Sequence, residues 1–281
     1  MLSASQTAVT KAGSLRTPDV QNMDRQLQQT AKELAIAGGD YALTHQSKVV
    51  SDCKGGDYRD VVTNIDLAID AMLRERITEH FPDHGFHSEE SHDDNMAAEY
   101  VWAIDPIDGT SNYARNIPHY SCCVSVLKNK KVIVSAIYNP VTKECFEFGE
   151  DGQAYCNSDL ISVSDIRELK HSYVNFHPGR KEELREWAGS TVVSLLNSAK
   201  KTNNLASSGL DLCFLAAGRM DVVIYGTLST MDIAGAIAIV RASGGEVYNY
   251  DSREPVDFSV ESQRIIATSN LALLEDFFRR V

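Results

Sequence analysis

Asp105 and Asp108 lie three residues apart in the segment WAIDPIDGTSN (102–112), within a chain whose 39 acidic residues already outnumber its 27 basic ones. Mutual repulsion and desolvation both oppose the ionisation of carboxylates so placed, and a cation between them would relieve both. Trp102 to Ile104 read as the end of a strand. Pro106 keeps Asp105 out of the α region, Gly109 permits a tight turn, and Thr110, Ser111 and Asn112 are small and polar. Backbone N–H groups at such a turn favour anions. The segment thus offers carboxylates to a cation beside amides for an anion, the donor set of metal-assisted phosphate chemistry, in which Mg²⁺ takes a few carboxylate oxygens and keeps several waters. An ordinary strand followed by an Asp-Gly turn explains the same residues.

Other acidic residues carry the same ambiguity. Glu89 and Glu90 stand in HSEES (87–91), which also reads as a solvated face. Asp232 opens the apolar run MDIAGAIAIVRASGG (231–245), where a cap is the plain reading. Asp66 follows Thr63 by three positions at the start of a periodic apolar stretch, the spacing of a capping box.

The elements that must position these groups follow from periodicity. Met23, Leu27, Ala31, Leu34 and Ala35 predict an amphipathic helix over about 20–46, and Ile65, Ile69, Met72, Leu73 and Ile77 a second helix that ends before Pro82. From residue 100 the period becomes two: YVWAID, YSCCVSVL, KVIVSAIY, ECFEFG and QAYCN, parted by turn signals, predict an antiparallel meander. The second half alternates. A strand at HSYVNF precedes helices near 181–200 and from SSGLD (207–211). A strand at DVVIY, a helix from Asp232 to about Ala242, a strand at RIIATS and a final helix from Asn270 complete it. This order predicts layered sheets and helices.

At 281 residues the chain is long enough for one large domain or two tightly joined subdomains. The acidic balance argues against a nucleic-acid partner, and apolar runs such as VIVSAIY (132–138) are too short for a membrane span. Residues 1–20 read as a polar, mobile leader without the apolar core of a secretory signal. Cys53, Cys122, Cys123, Cys145, Cys156 and Cys213 lack CxxC spacing and are expected to be reduced and mostly internal, as in a cytoplasmic protein.

Taken together and in order, DVVTNID (60–66), HSEES (87–91), DPIDGTSN (105–112) and MDIAGAIAIVRASGG (231–245) resemble the motifs of the inositol monophosphatase family, across about 25–281. The resemblance implies an α+β fold, a layered α/β/α/β/α sandwich of the sugar-phosphatase type. Its subdomains would be 21–155, with helices and an antiparallel sheet, and 156–281, which completes the active site. It implies metal ligands at Glu89, Asp105, the Ile107 carbonyl, Asp108 and Asp232, holding two or three Mg²⁺ ions. Asp66, Glu89 and Thr110 would orient the attacking water, and Gly109 and Thr110 would give N–H groups to phosphate. Ala206, Ser207, Ser208 and Tyr225 would face the substrate alcohol. A homodimer, lithium sensitivity and a small phosphate-monoester substrate are also implied, with inositol monophosphate or a related polyol or sugar phosphate first. Histidinol phosphate, fructose 1,6-bisphosphate and 3′-phosphonucleotides are alternatives, as is a binding protein without turnover.

Three residues depart from the family pattern: Ser88 for Gly, Met231 for Trp, and Tyr225 where inositol-specific members carry a Glu. Lys54 is either a lid residue or a solvated lysine, and Arg180, Lys181 and Arg185 read as an ordinary helix surface rather than a second phosphate site. His119, after Pro118 and before a core strand, reads as structural. The DxxDGT spacing lacks the second Asp of a dehalogenase-type nucleophile motif, and DPIDGTSNYARN lacks the acidic third, fifth and twelfth positions of an EF-hand.

Overall fold

The computed structural model describes residues 18–91, 94–256, 260 and 262–281, so most of the expected leader lies outside the described residues. Helix α1 (Pro18–His45) is followed by a small hairpin of β1 (Ser51–Cys53) and β2 (Val61–Thr63), which leads directly into α2 (Asn64–His80). Then come β3 (Gly85–Ser88), β4 (Tyr100–Asp108), the single-turn helix α3 (Thr110–Ala114), β5 (Ser121–Lys128), β6 (Lys131–Asn139), β7 (Glu144–Phe148), β8 (Ala154–Cys156) and β9 (Asp159–Leu160). Strands β3 to β9 form one seven-stranded sheet in sequence order, antiparallel except for the β3–β4 pair.

The rest of the chain builds a second sheet. It contains β10 (Tyr173–His177), α4 (Arg185–Ser198), β11 (Lys201–Asn203), α5 (Ser208–Ala216), β12 (Val222–Ser229), α6 (Ala234–Ala242), β13 (Glu246–Asn249), β14 (Ser262–Thr268) and α7 (Leu271–Arg280). The sheet order is β11-β10-β12-β14-β13, with β10 parallel to both of its neighbours.

Five layers result, as the α/β/α/β/α expectation required: α1 and α2, the large sheet, α5 and α6, the second sheet, then α4 and α7. Strand alternation sorts the core. In β5, Cys122, Val124 and Val126 enter the cluster under α1 and α2, while Cys123 joins the cluster around α5 and α6. In β12, Val223 and Tyr225 face that middle layer, and Val222 and Ile224 face α4 and α7. The middle helices are mostly apolar because both of their faces are covered.

Several details differ from the sequence reading. The short strands β3, β9, β11 and β13 were not expected from periodicity. Helix α6 begins at Ala234, so Asp232 lies in the turn before it. All six cysteines are free, Cys122, Cys123, Cys145 and Cys213 buried but Cys53 exposed on the hairpin. Among the described residues, no helix is long and apolar enough to cross a membrane.

Candidate active site

The bend in β4 decides where its carboxylates point. Asp105 lies opposite Cys123 and Asp108 opposite Ser121, so three steps along β4 match two along β5. That extra residue is a β-bulge. Without it, residues three apart would face opposite sides of the sheet. With it, Asp105 and Asp108 both lie on the Cys123 face toward the middle layer, while Ile104 and Ile107 stay in the core under α1 and α2. Pro106, which has no N–H to pair, is tolerated at such a bulge. Gly109 then turns the chain at φ 92°, where an added Cβ would meet the His119 carbonyl at 3.1 Å and Ser207 Cβ at 3.2 Å.

Asp108 is held from the side of α5. Its Oδ1 accepts from the Ser208 N–H and Oγ, both at 2.9 Å, and its Oδ2 from the Gly209 N–H at 2.9 Å, Ser121 Oγ at 3.2 Å and Ser207 Oγ. The first turn of a helix carries unpaired N–H groups and a positive dipole end, which suit a carboxylate. Ala206, at φ 61°, begins this turn.

Asp105 has the opposite surroundings. It is only 7% exposed, and its Oδ1 has no hydrogen-bond partner. Burial, followed by the charges of Glu89, Asp108 and Asp232, pushes its carboxyl well above the usual range. The carboxylates expected to act together therefore share one electrostatic neighbourhood. A buried oxygen without a donor, surrounded by three more acids, suits a hard divalent cation. Among the described residues, however, no three His, Cys, Asp or Glu side chains are already gathered tightly enough to enclose an ion.

Asp232 arrives from the second half of the chain, brought by a close helix–sheet contact. A Cβ on Gly235 would lie 2.0 Å from Ser125 Oγ and 2.3 Å from Ser135 Oγ, so only glycine lets α6 lie flush on β5 and β6. His87 Nε2 stands 3.1 Å from Asp232 Oδ1.

On the other side, the capping box at the start of α2 fixes Asp66. Thr63 N–H donates to Asp66 Oδ2 at 3.0 Å and the Thr63 hydroxyl also bonds to it, while Thr110 Oγ1 lies 3.3 Å from Asp66 Oδ1 and 2.9 Å from the Ile107 carbonyl. Burial raises the Asp66 carboxyl to about 6, against the lowering effect of its Thr63 hydrogen bonds. Asp66, Thr110 and Ile107 thus stand in one chain of contacts.

Lys54, on the hairpin, reaches Glu89 at 3.0 Å and Glu90 at 2.8 Å. Burial works against the ammonium, but the two glutamates hold its proton above the ordinary lysine range. Burial pushes the Glu90 carboxyl up to about 7, outweighing the pull of Lys54. Ser88, in place of the family glycine, turns inward and donates to Asp70 on α2. Arg180 meets Asp60 at 2.6 Å, while Lys181 and Arg185 are exposed. The loop of the hairpin, 54–60, is therefore tied to the glutamates through Lys54 and to the segment after β10 through Asp60.

Tyr225 bonds within the protein. The hydroxyl donates to Asp211, a fully buried carboxylate that also meets His119 Nε2 at 2.9 Å and Asn175 Nδ2 at 2.7 Å. Asn175 Oδ1 in turn accepts from Leu205 N–H at 3.0 Å, and Asn112 Nδ2 donates to the carbonyls of His119 at 2.9 Å and Leu205 at 2.7 Å. This network fixes the 205–208 turn that caps Asp108, and His119 serves it as a structural residue. Sequence reading passed over Asp211 and Asn175, because a single acid in an apolar helix and an Asn in a strand give no motif.

A family model described as "Inositol monophosphatase family" matches residues 19–280. The chain is 30% identical over 217 residues to "Inositol monophosphatase 1" of Solanum lycopersicum, covering 75% of this chain and 78% of that protein. It is 27% identical over 221 residues to "Fructose-1,6-bisphosphatase/inositol-1-monophosphatase" of Thermotoga maritima, covering 79% and 84%. The solved structure of inositol monophosphatase from Anabaena (Nostoc) sp. PCC 7120 superposes with a TM-score of 0.76 at 29% identity, over 92% of this chain and 96% of that one.

Proposed function

We propose, for a chain that belongs to the inositol monophosphatase family and is a phosphoric monoester hydrolase, a Mg²⁺-dependent hydrolysis of inositol monophosphate or a related polyol or sugar phosphate. The observation that carries the reading is Asp105, whose buried, unpartnered oxygen lies among the charges of Glu89, Asp108 and Asp232. Those four side chains, with the Ile107 carbonyl, would hold two or three ions. Bound Mg²⁺ supplies positive charge for the phosphate, acidifies water and stabilises the departing oxygen.

The chain's own residues do the rest. Glu89 and Thr110 orient the attacking water, with Asp66 accepting the Thr110 hydroxyl and so fixing the direction of its lone pairs. Gly109 and Thr110 offer backbone N–H groups to the phosphate, and Ala206, Ser207 and Ser208 border the alcohol. Tyr225 shapes the floor beneath that turn through Asp211 and leaves sugar hydroxyls to other groups. The two halves, 21–155 and 156–281, would each contribute ligands to one pocket. Free cysteines and the absence, among the described residues, of a membrane-crossing helix support a cytoplasmic enzyme, and the family supports a lithium-sensitive homodimer.

Phosphate release is the test, measured with Mg²⁺ across inositol monophosphate, other polyol and sugar phosphates, fructose 1,6-bisphosphate, histidinol phosphate and 3′-phosphonucleotides. Inositol or another polyol monophosphate is expected to be turned over fastest, and Asp108→Asn to lose most turnover while remaining folded. Wild-type rates in that variant would end the assignment.

A further inference from the structure

Arg180 differs from the two cations that follow it. The sequence reads Arg180, Lys181 and Arg185 as one helix surface, but α4 begins at Arg185, and Arg180 lies on the segment that leaves β10. That segment is pressed against β12. His177 pairs in register with Tyr225 and stacks on its ring at 5.1 Å, and a Cβ on Gly226 would lie 2.2 Å from the Pro178 carbonyl oxygen, so only glycine admits the approach. Buried Gly179, at φ 77°, then turns the chain, and the Arg180 side chain emerges 49% exposed. Its charge helps to keep the His177 imidazole neutral, so the guanidinium stands beside the wall that His177 and Tyr225 build. That wall borders the side assigned above to the substrate alcohol.

The other neighbour of Arg180 is the hairpin loop. Nη1 lies 2.6 Å from Asp60 Oδ1, yet that buried oxygen accepts no hydrogen bond, so the charges are close while the N–H groups are not aligned on it. An ion pair half open to solvent contributes little, and an incoming anion can take the guanidinium from Asp60. The Asp60 carbonyl accepts from the Lys54 N–H at 2.7 Å, and Lys54 Nζ reaches Glu89 at 3.0 Å. One lysine side chain therefore spans the gap between the loop at Asp60 and the proposed ligands. A sugar with a phosphate at each end of its carbon chain bridges a gap of that kind.

We propose that Arg180 is a specificity-determining residue that holds a second phosphate on the substrate alcohol, and that Asp60 is its internal competitor for the guanidinium. The inference rests on the phosphate-monoester reading above and deepens it, by naming bisphosphorylated sugars as the class bound most tightly. A guanidinium suits phosphate because its parallel N–H donors match two oxygens at once. Tyr225, its hydroxyl bonded to Asp211, also puts a neutral group where a Glu would repel a second anion. Binding far from the reacting ester acts alike on the ground state and the transition state, so it sets KM. The turnover number still follows the departing alcohol.

The test uses the full chain with Mg²⁺ and measures phosphate release from fructose 1,6-bisphosphate and fructose 1-phosphate, which share one ester and differ in the second phosphate. The wild-type KM is expected to be about tenfold lower for the bisphosphate. Arg180→Met is expected to raise that KM about tenfold, with kcat and the KM for fructose 1-phosphate changed less than about twofold. Asp60→Asn is expected to lower the bisphosphate KM about threefold, because the guanidinium loses its rival. Equal wild-type KM for the two fructose esters, equal effects of Arg180→Met on both, or turnover of inositol monophosphate alone overturns the role of Arg180 and leaves the hydrolase reading standing. An unchanged or higher bisphosphate KM in Asp60→Asn makes the pair a structural tie and overturns the competition. A wild-type chain that releases phosphate from none of the three overturns both readings.

Discussion

Asp211 and Asp105 are both buried carboxylates, and their surroundings are opposite. Asp211 has no exposed surface and meets donors from His119, Asn175 and Tyr225. Asp105 meets three other acids and keeps one oxygen without a donor. Burial raises the proton affinity of both, but at Asp211 the His119 and Tyr225 contacts act against it. A buried charge with its donors supplied supports the fold, whereas one left short is costly unless something binds. The first arrangement anchors the turn that holds Asp108. The second suits a counter-charge.

Substitutions at each acid sharpen the contrast. The largest effect is expected from Asp105→Asn, which should lower phosphate release by at least about 10³-fold, roughly 4 kcal/mol of barrier. The same variant should be more stable than wild type in chelator, by about 1 kcal/mol in urea unfolding, because it removes a charge that faces like charges. Equal or lower stability would break the comparison. Asp211→Ala should do the reverse to the fold and cost about 3 kcal/mol, because it strands three buried donors. A loss under about 1 kcal/mol would mean that the network is not a support.

A smaller effect concerns His177, which stacks on Tyr225 with ring centroids 5.1 Å apart. Burial, aided by the Arg180 charge, pushes this imidazole down to about 4. The unfolded chain takes up a proton near pH 6.5 that the folded chain refuses until near 4, so stability falls as the pH drops through that window. Up to about 3 kcal/mol is at stake across the full window. His177→Phe should flatten the acid limb of stability against pH between those values, measured by urea midpoints, and leave the neutral limb in place.

The acids proposed for the site stand out in the residue string because they sit in compact motifs. Asp66, Glu89, Asp105, Asp108, Thr110 and Asp232 were named by spacing and resemblance, and the capping box at Thr63 and Asp66 formed as expected. The long strands and helices also followed from their periods. What stayed hidden depends on distance through space. The bulge that turns Asp105 and Asp108 to one face is a difference in count between two strands and leaves no local sign. Tyr225 gave no hint that its hydroxyl is taken by Asp211, because the two join α5 to β12. His87 has no assigned face until β3 is seen as a strand. Strands of two to four residues, such as β9 and β11, are too short to show a period.

The contact at Gly235 has a consequence for synthesis. Asp232 reaches the other acids only when α6 is pressed onto the serines of β5 and β6, so a growing polypeptide that has emerged through β9 carries Glu89, Asp105 and Asp108 without the fourth acid. On the proposed reading, ion capture and hydrolysis wait until α6 has left the ribosome and docked, and an unfinished product is inert.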